Sequence, residues 1–434
     1  MTFELDFKSE IQYTKRLMEL GESIIRRGFG LKKEILPLLE ASYHSPLIEK
    51  IKASNYELAS GDLTICLARE FGFCYGVDRA VDLAYETRKR FPDRKIYLTS
   101  EIIHNPRVNA KLKELGIEFL KAGDEKNSNG TAPSVDSVTK EDVVLIPAFG
   151  TPTQELEILK SKGAILVDTT CGSVVAVWRR VEKYAQDGFT AIIHGKFDHE
   201  ETQATSSRAT QYPNGKFLVV KDKEQAKKVC GFILGTVNAE SFSQEFSKTA
   251  SPDFDPERDL KQVGCANQTT MLSSESLEIA EMIQSAMRER YGTEEVSNHF
   301  RHFDTICSAT QDRQDAILKL AKSEVDLMIV VGGYNSSNTG HLCEISSEFC
   351  PAFHVRDAEE IISKDEIRHK PANKSEVVTS YNWLPTGKVK IGITAGASTP
   401  NRVIEEVILK ILACSGNTEP GETLSVLSDT NHSK

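Results

Sequence analysis

The sequence predicts an α/β protein in which short strands alternate with amphipathic helices and assemble into mostly parallel sheets. Three observations predict it. From Leu63 onward, short β-rich runs are followed by Gly, Ser, Thr or Asn and then by a helical pattern, the form that repeated βα units take in sequence. This rhythm runs through roughly three equal portions of the 434 residues, and about 100–200 residues per domain leaves room for two or three domains with sizeable cores. The composition, 39% hydrophobic and 27% charged, is that of an ordinary folded chain and excludes a collagen-like repeat or a chain that is coiled coil throughout.

Taken from the N-terminus, residues 1–60 read as helical. Ile11, Leu17, Met18 and Leu20, then Ile24 and Ile25, recur near helical spacing among charges, and a second stretch covers 31–39. Strands are expected at 63–68, 95–99, 143–147, 164–167, 190–194, 217–220, 326–331 and 389–394. Polar stretches at 121–140, 240–261 and 362–380, rich in Ser, Asn, Pro or charge, read as surface insertions or connections. Beyond Ala413 the tail lacks periodicity and is expected to be mobile. The opening MTFELDFKSEIQ carries acids and no apolar run, unlike a secretory signal or a transit peptide. No stretch approaches the roughly 18 uncharged apolar residues of a membrane span, so a cytoplasmic protein with no membrane partner is expected.

The net charge of −10 disfavours any sequence-independent grip on nucleic-acid phosphates or anionic lipid, so nucleic acid is not an expected partner and an anionic ligand must be held locally. Nine cysteines, at 66, 74, 171, 230, 265, 307, 343, 350 and 414, are odd in number, scattered and without a C-x-x-C pair. In a reducing cytosol they read as thiols without disulfides, most of them small buried hydrophobes.

In doubly wound sheets, ligands bind where strand ends lead into helix N-termini, which selects the loops to inspect. Cys74 lies between Gly72 and Gly76 after a strand and before a helix, Cys171 follows VDTT in the same setting, and Cys307 does so a third time in TICSATQDRQ. The unpaired amides and dipole of a helix N-terminus favour thiolate, the form that ligates metal. Three such cysteines at equivalent positions could converge, and three thiolates suit an iron–sulfur cluster with one open iron better than zinc. The remaining six have no such setting and read as structural.

A second group suits a diphosphate. VVGGYNSSN places Ser336, Ser337 and Asn338 at a helix start behind two glycines, and GITAGASTP repeats the device with Gly396, Ser398 and Pro400. Both loops have helix capping as their plain alternative. No Walker loop and no G-x-G-x-x-G occurs. A third group is ionisable: His104 after one strand, His199, Glu200 and Glu201 after another, with His194 as a strand-end residue and Thr269 and Thr270 in ANQTTM. A structural role is the ordinary reading of each histidine alone, and an N-cap that of the threonines.

With these residues assembled, the chain resembles the 4-hydroxy-3-methylbut-2-enyl diphosphate reductase family. The resemblance runs from about Asn55 to about Leu412, through FGFCYGVDRAV, SEIIHNPRV, PAFGTPTQE, VDTTC, HGKFDHEET, ANQTTM, TICSATQDRQDAI, VVGGYNSSNTGHL and GITAGASTP in family order. Several strings, and the N-terminal extension, resemble the longer plant and cyanobacterial form. The resemblance implies three pseudo-equivalent α/β lobes with mostly parallel sheets around a central iron–sulfur site, plus a helical N-terminal extension. It divides the chain into 1–62, the lobes 63–171, 172–306 and 307–413, and a flexible tail 414–434.

It implies one [4Fe–4S] cluster held by Cys74, Cys171 and Cys307 with one open iron, a diphosphate pocket at His104, His199, Ser336, Ser337, Asn338 and Ser398, with Thr270 as a further substrate contact, and Glu201 with Thr269 as the proton relay. The expected reaction is reductive dehydroxylation of an allylic diphosphate to isopentenyl and dimethylallyl diphosphate. Electrons are expected from an external ferredoxin or flavodoxin, for which 87–95 (TRKRFPDRK) and Arg179 with Arg180 are candidate basic patches. A hydro-lyase without net redox change is the rival enzyme reading, and an iron–sulfur sensor or carrier the non-enzymatic one, against which the phosphate loops speak. Two positions depart from the family pattern. Phe149 stands where compact bacterial members carry a histidine, and Gly172 with Ser173 follows Cys171 where proline and a bulkier residue are usual, which should loosen that loop.

Overall fold

Uniformly apolar runs such as Val143–Ile146, Phe217–Val220 and Leu327–Val331 are buried along their whole length in the computed structural model, as strands covered on both faces must be. The structure describes residues 24–120, 133–372 and 374–416. These fall into two compact units. One takes in the described parts of Met1–Lys32, Arg79–Ile103 and Asn109–Cys307, and the other those of Lys33–Asp78, His104–Val108 and Ser308–Lys434.

The first unit holds two parallel sheets. One is ordered Ile24–Ile25, Ile165–Asp168, Val143–Ile146, Ile96–Leu98, Ile117–Phe119, and the other Phe300–His302, Val263–Asn267, Thr190–His194, Phe217–Val220. Ile24 and Ile25 are therefore strand and not helix: they pair with Leu166 and Val167, and an edge ladder outweighs a helical spacing that two residues barely sample. The preceding residues of the expected helix lie outside the described residues. The polar stretch 240–261 is more than an insertion, since the helix Ala239–Phe246 drives Phe242 and Phe246 into the core beside Leu218, Val229 and Ile283.

The second unit is built on the sheet Ala352–Val355, Leu327–Val331, Val389–Ala395, Leu63–Leu67, Glu57–Ser60, parallel except for the last pair. The strand at 63–67 therefore pairs with one more than 300 residues later and shares no sheet with Ile96–Leu98. Sheet membership thus cuts across the segments 63–171, 172–306 and 307–413, because parallel partners need not be neighbours in sequence. The sheet is covered by Ile404, Val407, Ile408 and Ile411 of the helix Asn401–Cys414. Leu47, Ile48 and Ile51 of the helix Pro46–Ala53 join the same core, so part of the N-terminal extension is integral to it. The stretch 362–380 forms an antiparallel hairpin, Glu366–His369 with Val378–Tyr381, whose Ile367 is fully buried. Cys414 ends a helix, and 417–434 of the expected tail lies outside the described residues, as does 121–132. Among the described residues, no helix is long and apolar enough to cross a membrane.

Candidate active site

Cys74, His104, Cys171, His199, Thr269, Thr270, Cys307, Ser336 and Ser398 lie between the C-terminal end of a strand and the helix that follows, and Glu201, Ser337 and Asn338 in the first turn of such a helix, where unpaired helix amides make local anion sites. The two units carry different parts of the set, and each is described by itself.

In the first unit the strand Thr190–His194 leads to His199, the N-cap of the helix Glu200–Ala209. The cap is made by the ring: His199 Nδ1 accepts from the Glu201 N–H at 3.1 Å, so the neutral ring carries its hydrogen on Nε2. Glu201 is 1% exposed, and its carboxylate is held by Thr269, the N–H donating at 2.6 Å and Oγ1 at 3.0 Å. Thr269 in turn accepts from the Cys307 N–H at 3.3 Å through its carbonyl. Glu201, Thr269 and Cys307 are thus one contiguous cluster, although 68 residues separate the first two. Thr269 is no helix cap, that place being taken by Leu272. Thr270 Oγ1 accepts from Gln268 Nε2 at 2.8 Å.

Gln268, which sequence reading passed over, organises this corner. It is 1% exposed, and its Oε1 accepts from the Lys196 N–H and from Thr202 Oγ1. Only its place in ANQTTM pointed to it. His194 is structural, its Nδ1 bonded to Ser276 Oγ at 2.8 Å. Phe149, one of the two departures, packs edge-on against the His199 ring with centroids 5.3 Å apart, so this position orients a histidine in place of supplying one.

Cys171 caps the helix Gly172–Gln186 in extended backbone (φ −61°, ψ 139°), and its thiol makes no capping bond. The Cys171 N–H donates to the Ala148 carbonyl at 3.0 Å, and the Cys171 carbonyl accepts from Val175 at 3.1 Å. The adjacent Thr170 Oγ1 is buried without a protein partner.

In the second unit, Cys74 precedes the helix Tyr75–Arg90 and its N–H donates to the Ala397 carbonyl at 3.1 Å. Gly72 just before it has φ +77°, and a Cβ there would meet Asn401 Oδ1 at 2.8 Å. Arg313 bonds the Gly72 carbonyl at 2.6 Å. The turn that holds Cys74 also holds Ser398, whose hydroxyl donates to the His104 carbonyl at 3.3 Å. Pro400 occupies the N-cap and not the first helical position. Ser336 does cap the helix Ser337–Ser347, accepting from Thr339 at 3.3 Å, while Ser337 and Asn338 lie buried in its first turn. Asn338 Oδ1 accepts from the Ala397 N–H at 3.0 Å, and its Nδ2 is buried with no protein partner. An unsatisfied buried donor at a helix N-terminus is costly unless a ligand takes it, and an oxyanion is the matching ligand. His104, Ser336, Ser337, Asn338, Ser398 and Cys74 are therefore brought together here.

Burial pushes Cys66, Cys230 and Cys343 up to about 11, Cys265 further, and Cys350 and Cys414 upward, as befits packed structural thiols. Cys74, Cys171 and Cys307 sit half-buried at helix starts, and no two of the nine are joined in a disulfide. Soft sulfur donors outside the packed core are the chemistry an iron–sulfur group takes.

Comparison with known proteins bears on what this arrangement does. The family model described as LytB protein matches residues 65–412. A 4-hydroxy-3-methylbut-2-enyl diphosphate reductase from Gloeobacter violaceus is 48% identical over 410 residues, 94% of this chain and 96% of the relative. One from a Picosynechococcus species is 47% identical over 401 residues, 92% of this chain and 96% of the relative. The structure of the E-1-hydroxy-2-methyl-but-2-enyl-4-diphosphate reductase from Plasmodium falciparum superposes with a TM-score of 0.59 over 84% of this chain and 98% of that one. At 22% identity this is a likeness of fold.

Proposed function

The chain belongs to the LytB family of 4-hydroxy-3-methylbut-2-enyl diphosphate reductases, iron–sulfur oxidoreductases that end the methylerythritol phosphate route to isoprenoids, and from that premise we propose which of its residues do what. Its reaction is the reductive removal of an allylic hydroxyl, leaving isopentenyl and dimethylallyl diphosphate. The relatives are named as reductases, which favours net reduction over hydro-lyase chemistry.

Cys74, Cys171 and Cys307 are the metal ligands, supported by their common strand-to-helix setting. The group they hold is a [4Fe–4S] cluster with one iron open, which supplies Lewis acidity and single-electron reduction. His104, His199, Ser336, Ser337, Asn338 and Ser398 bind the diphosphate, with Thr270 as a further substrate contact. In this arrangement Asn338 Nδ2 is the donor already lacking a protein partner.

Glu201 stores the proton that must reach the departing hydroxyl. With Glu201 protonated, its O–H donates to Thr269 Oγ1, which passes its own hydrogen outward, and the carboxylate left behind is stabilised by the Thr269 N–H. Burial keeps bulk water from short-circuiting that transfer. The observation that carries this reading is the two-point hold of Thr269 on the Glu201 carboxylate.

Electrons come from an external carrier of ferredoxin or flavodoxin type. Of the two basic patches, 87–95 keeps Lys89, Arg90 and Lys95 exposed, while its Arg88 caps the Phe91 and Arg94 carbonyls. Arg179 and Arg180 remain exposed, with Arg180 stacked 3.8 Å over the half-exposed Phe303. Arg179 and Arg180, nine residues or fewer beyond Cys171 and about 13 Å along the helix, are the candidate docking residues for the donor. A cytoplasmic location belongs to the same proposal, because thiols without disulfides need a reducing compartment.

The test is anaerobic purification, a cluster spectrum, and turnover of the allylic diphosphate with dithionite and a mediator dye. Glu201→Gln should keep iron and substrate binding and lose most turnover. Unaltered turnover would remove Glu201 from this role, and a preparation that holds iron yet returns the substrate unchanged would overturn the whole assignment.

A further inference from the structure

The loop that carries Ser336, Ser337 and Asn338 begins with a glycine turn closed by the Ser336 N–H on the Gly333 carbonyl at 3.0 Å and tied to the sheet by the Gly332 N–H on the Val355 carbonyl at 2.9 Å. Gly332 has φ +156°, and a Cβ on Gly333 would sit 2.5 Å from the His104 carbonyl oxygen, so the turn is shaped by close backbone approach. Two of its carbonyls are held in addition by side chains from elsewhere in the same unit. His354, in the strand Ala352–Val355, bonds through Nε2 to the Gly332 carbonyl at 2.9 Å. Lys370, directly after the hairpin strand Glu366–His369, donates from Nζ to the Tyr334 carbonyl at 2.9 Å. The Lys370 N–H also donates to the His354 carbonyl at 2.9 Å, which couples the two side chains.

The clamp is rigidly mounted. His354 is 2% exposed, and burial pushes its pKa down to about 4, so the ring is neutral and Nε2 carries its hydrogen. The hairpin behind Lys370 is anchored by buried Ile367 and by His369, which packs edge-on against Phe353 with centroids 4.9 Å apart. Phe353 also meets Trp383 at 5.9 Å.

We propose that His354 and Lys370 are positioning residues for the diphosphate: they set the Gly332–Tyr334 turn from its carbonyl side, and Lys370 adds a fixed ammonium to a loop otherwise made of hydroxyls, amides and imidazole. Held by Lys370, the Tyr334 carbonyl is kept away from the phosphate oxygens it would repel, and the nearby positive charge lowers the cost of gathering a multiply charged anion. The hairpin 366–381, which reads from sequence as a surface insertion, acquires a function this way. The inference rests on the reading of Ser336–Asn338 as the diphosphate loop.

The experiment uses the anaerobic holoenzyme, inorganic pyrophosphate as a competitive inhibitor, and steady-state kinetics with the allylic diphosphate. Lys370→Met should raise both the substrate KM and the pyrophosphate inhibition constant about tenfold, with kcat within twofold of the parent. Lys370→Arg should restore most of the loss, and the Lys370→Met deficit should shrink as ionic strength rises, which a merely structural defect would not show. His354→Leu, matched in volume but without the ring donor, should raise KM in the same way. Asn338→Ala serves as the reference for the loop itself. If Asn338→Ala weakens pyrophosphate inhibition and Lys370→Met and Lys370→Arg do not differ from the parent, the clamp proposal is overturned. If neither substitution changes pyrophosphate inhibition, the diphosphate reading of the loop fails. A Lys370→Met enzyme that loses kcat and thermal stability together, with no rescue by arginine, also overturns the clamp.

Discussion

Gly172 offers a sharp check on the local geometry around one proposed cluster ligand. It is the first helical residue behind Cys171, it is exposed, and a Cβ built on it meets nothing within 4 Å. Proline is favoured at a first helical position, whose N–H has no intrahelical acceptor in any case, and the residue before proline prefers extended backbone. Cys171 already has that conformation, with φ −61° and ψ 139°. Gly172→Pro should therefore leave the native loop intact and act on the unfolded chain, whose freedom it reduces by about 0.4–1 kcal/mol. At roughly 2–4 °C per kcal/mol for a unit of a few hundred residues, that is a rise in melting temperature of about 1–4 °C. The assay is thermal unfolding of parent and variant under anaerobic conditions, with iron content and the cluster spectrum recorded before heating. A lower melting temperature or a loss of iron in Gly172→Pro would show that the amide or the freedom of Gly172 is used in the native state, and the reasoning would fall.

Three further predictions follow from other parts of the structure. Burial raises the Glu155 carboxyl to about 7, so its neutral form favours the folded state, and the stability it confers is complete below about pH 4.5 and lost as pH rises through 7. Glu155→Gln should then stabilise the protein by on the order of 1 kcal/mol at pH 8 and hardly at all at pH 4.5, as read from denaturant midpoints; an equal effect at both pH values would refute the assignment. Gly396→Ala would place a Cβ 2.0 Å from Thr339 Oγ1 and should cost about 1–3 kcal/mol with weakened pyrophosphate inhibition, partly recovered by adding Thr339→Ala. A single variant as stable as the parent would mean the turn has room that the geometry denies. Arg180→Glu should slow turnover several-fold with a ferredoxin-type donor and leave the dithionite-driven rate unchanged, since it alters docking and not chemistry; equal effects on both rates would exclude the docking role.

Much of this was legible because local signals and local structure coincide. Runs like VVLI and LMIVV, short, rich in β-branched residues and bounded by turn signals, read as buried strands, and cysteine, serine or histidine between such a run and a helix marked a candidate ligand loop. Resemblance in nine strings added roles that spacing alone does not assign. What escaped were contacts without a local signature. The two-residue strand Ile24–Ile25 exists only because Leu166 and Val167 lie beside it. The helix Ala239–Phe246 hides two core phenylalanines in a polar-looking stretch. Gln268, His354 and Lys370 work through backbone carbonyls, amides and hydroxyls of distant segments, and no pattern in their own neighbourhoods announces that.

By itself, then, the order of residues determined the α/β class, the strand-to-helix loops and the residue types that carry thiolate, phosphate and proton chemistry, since each depends on periodicity and capping over a few neighbouring positions. Tertiary structure decided which strands share a sheet, that Thr269 and not solvent holds the Glu201 carboxylate, that Phe149 packs against the His199 ring, and that an apparent surface hairpin sets Lys370 on the Tyr334 carbonyl. The physical reason is range: a hydrogen bond of about 3 Å between residues tens or hundreds of positions apart is a property of packing, and a local pattern has no term for it.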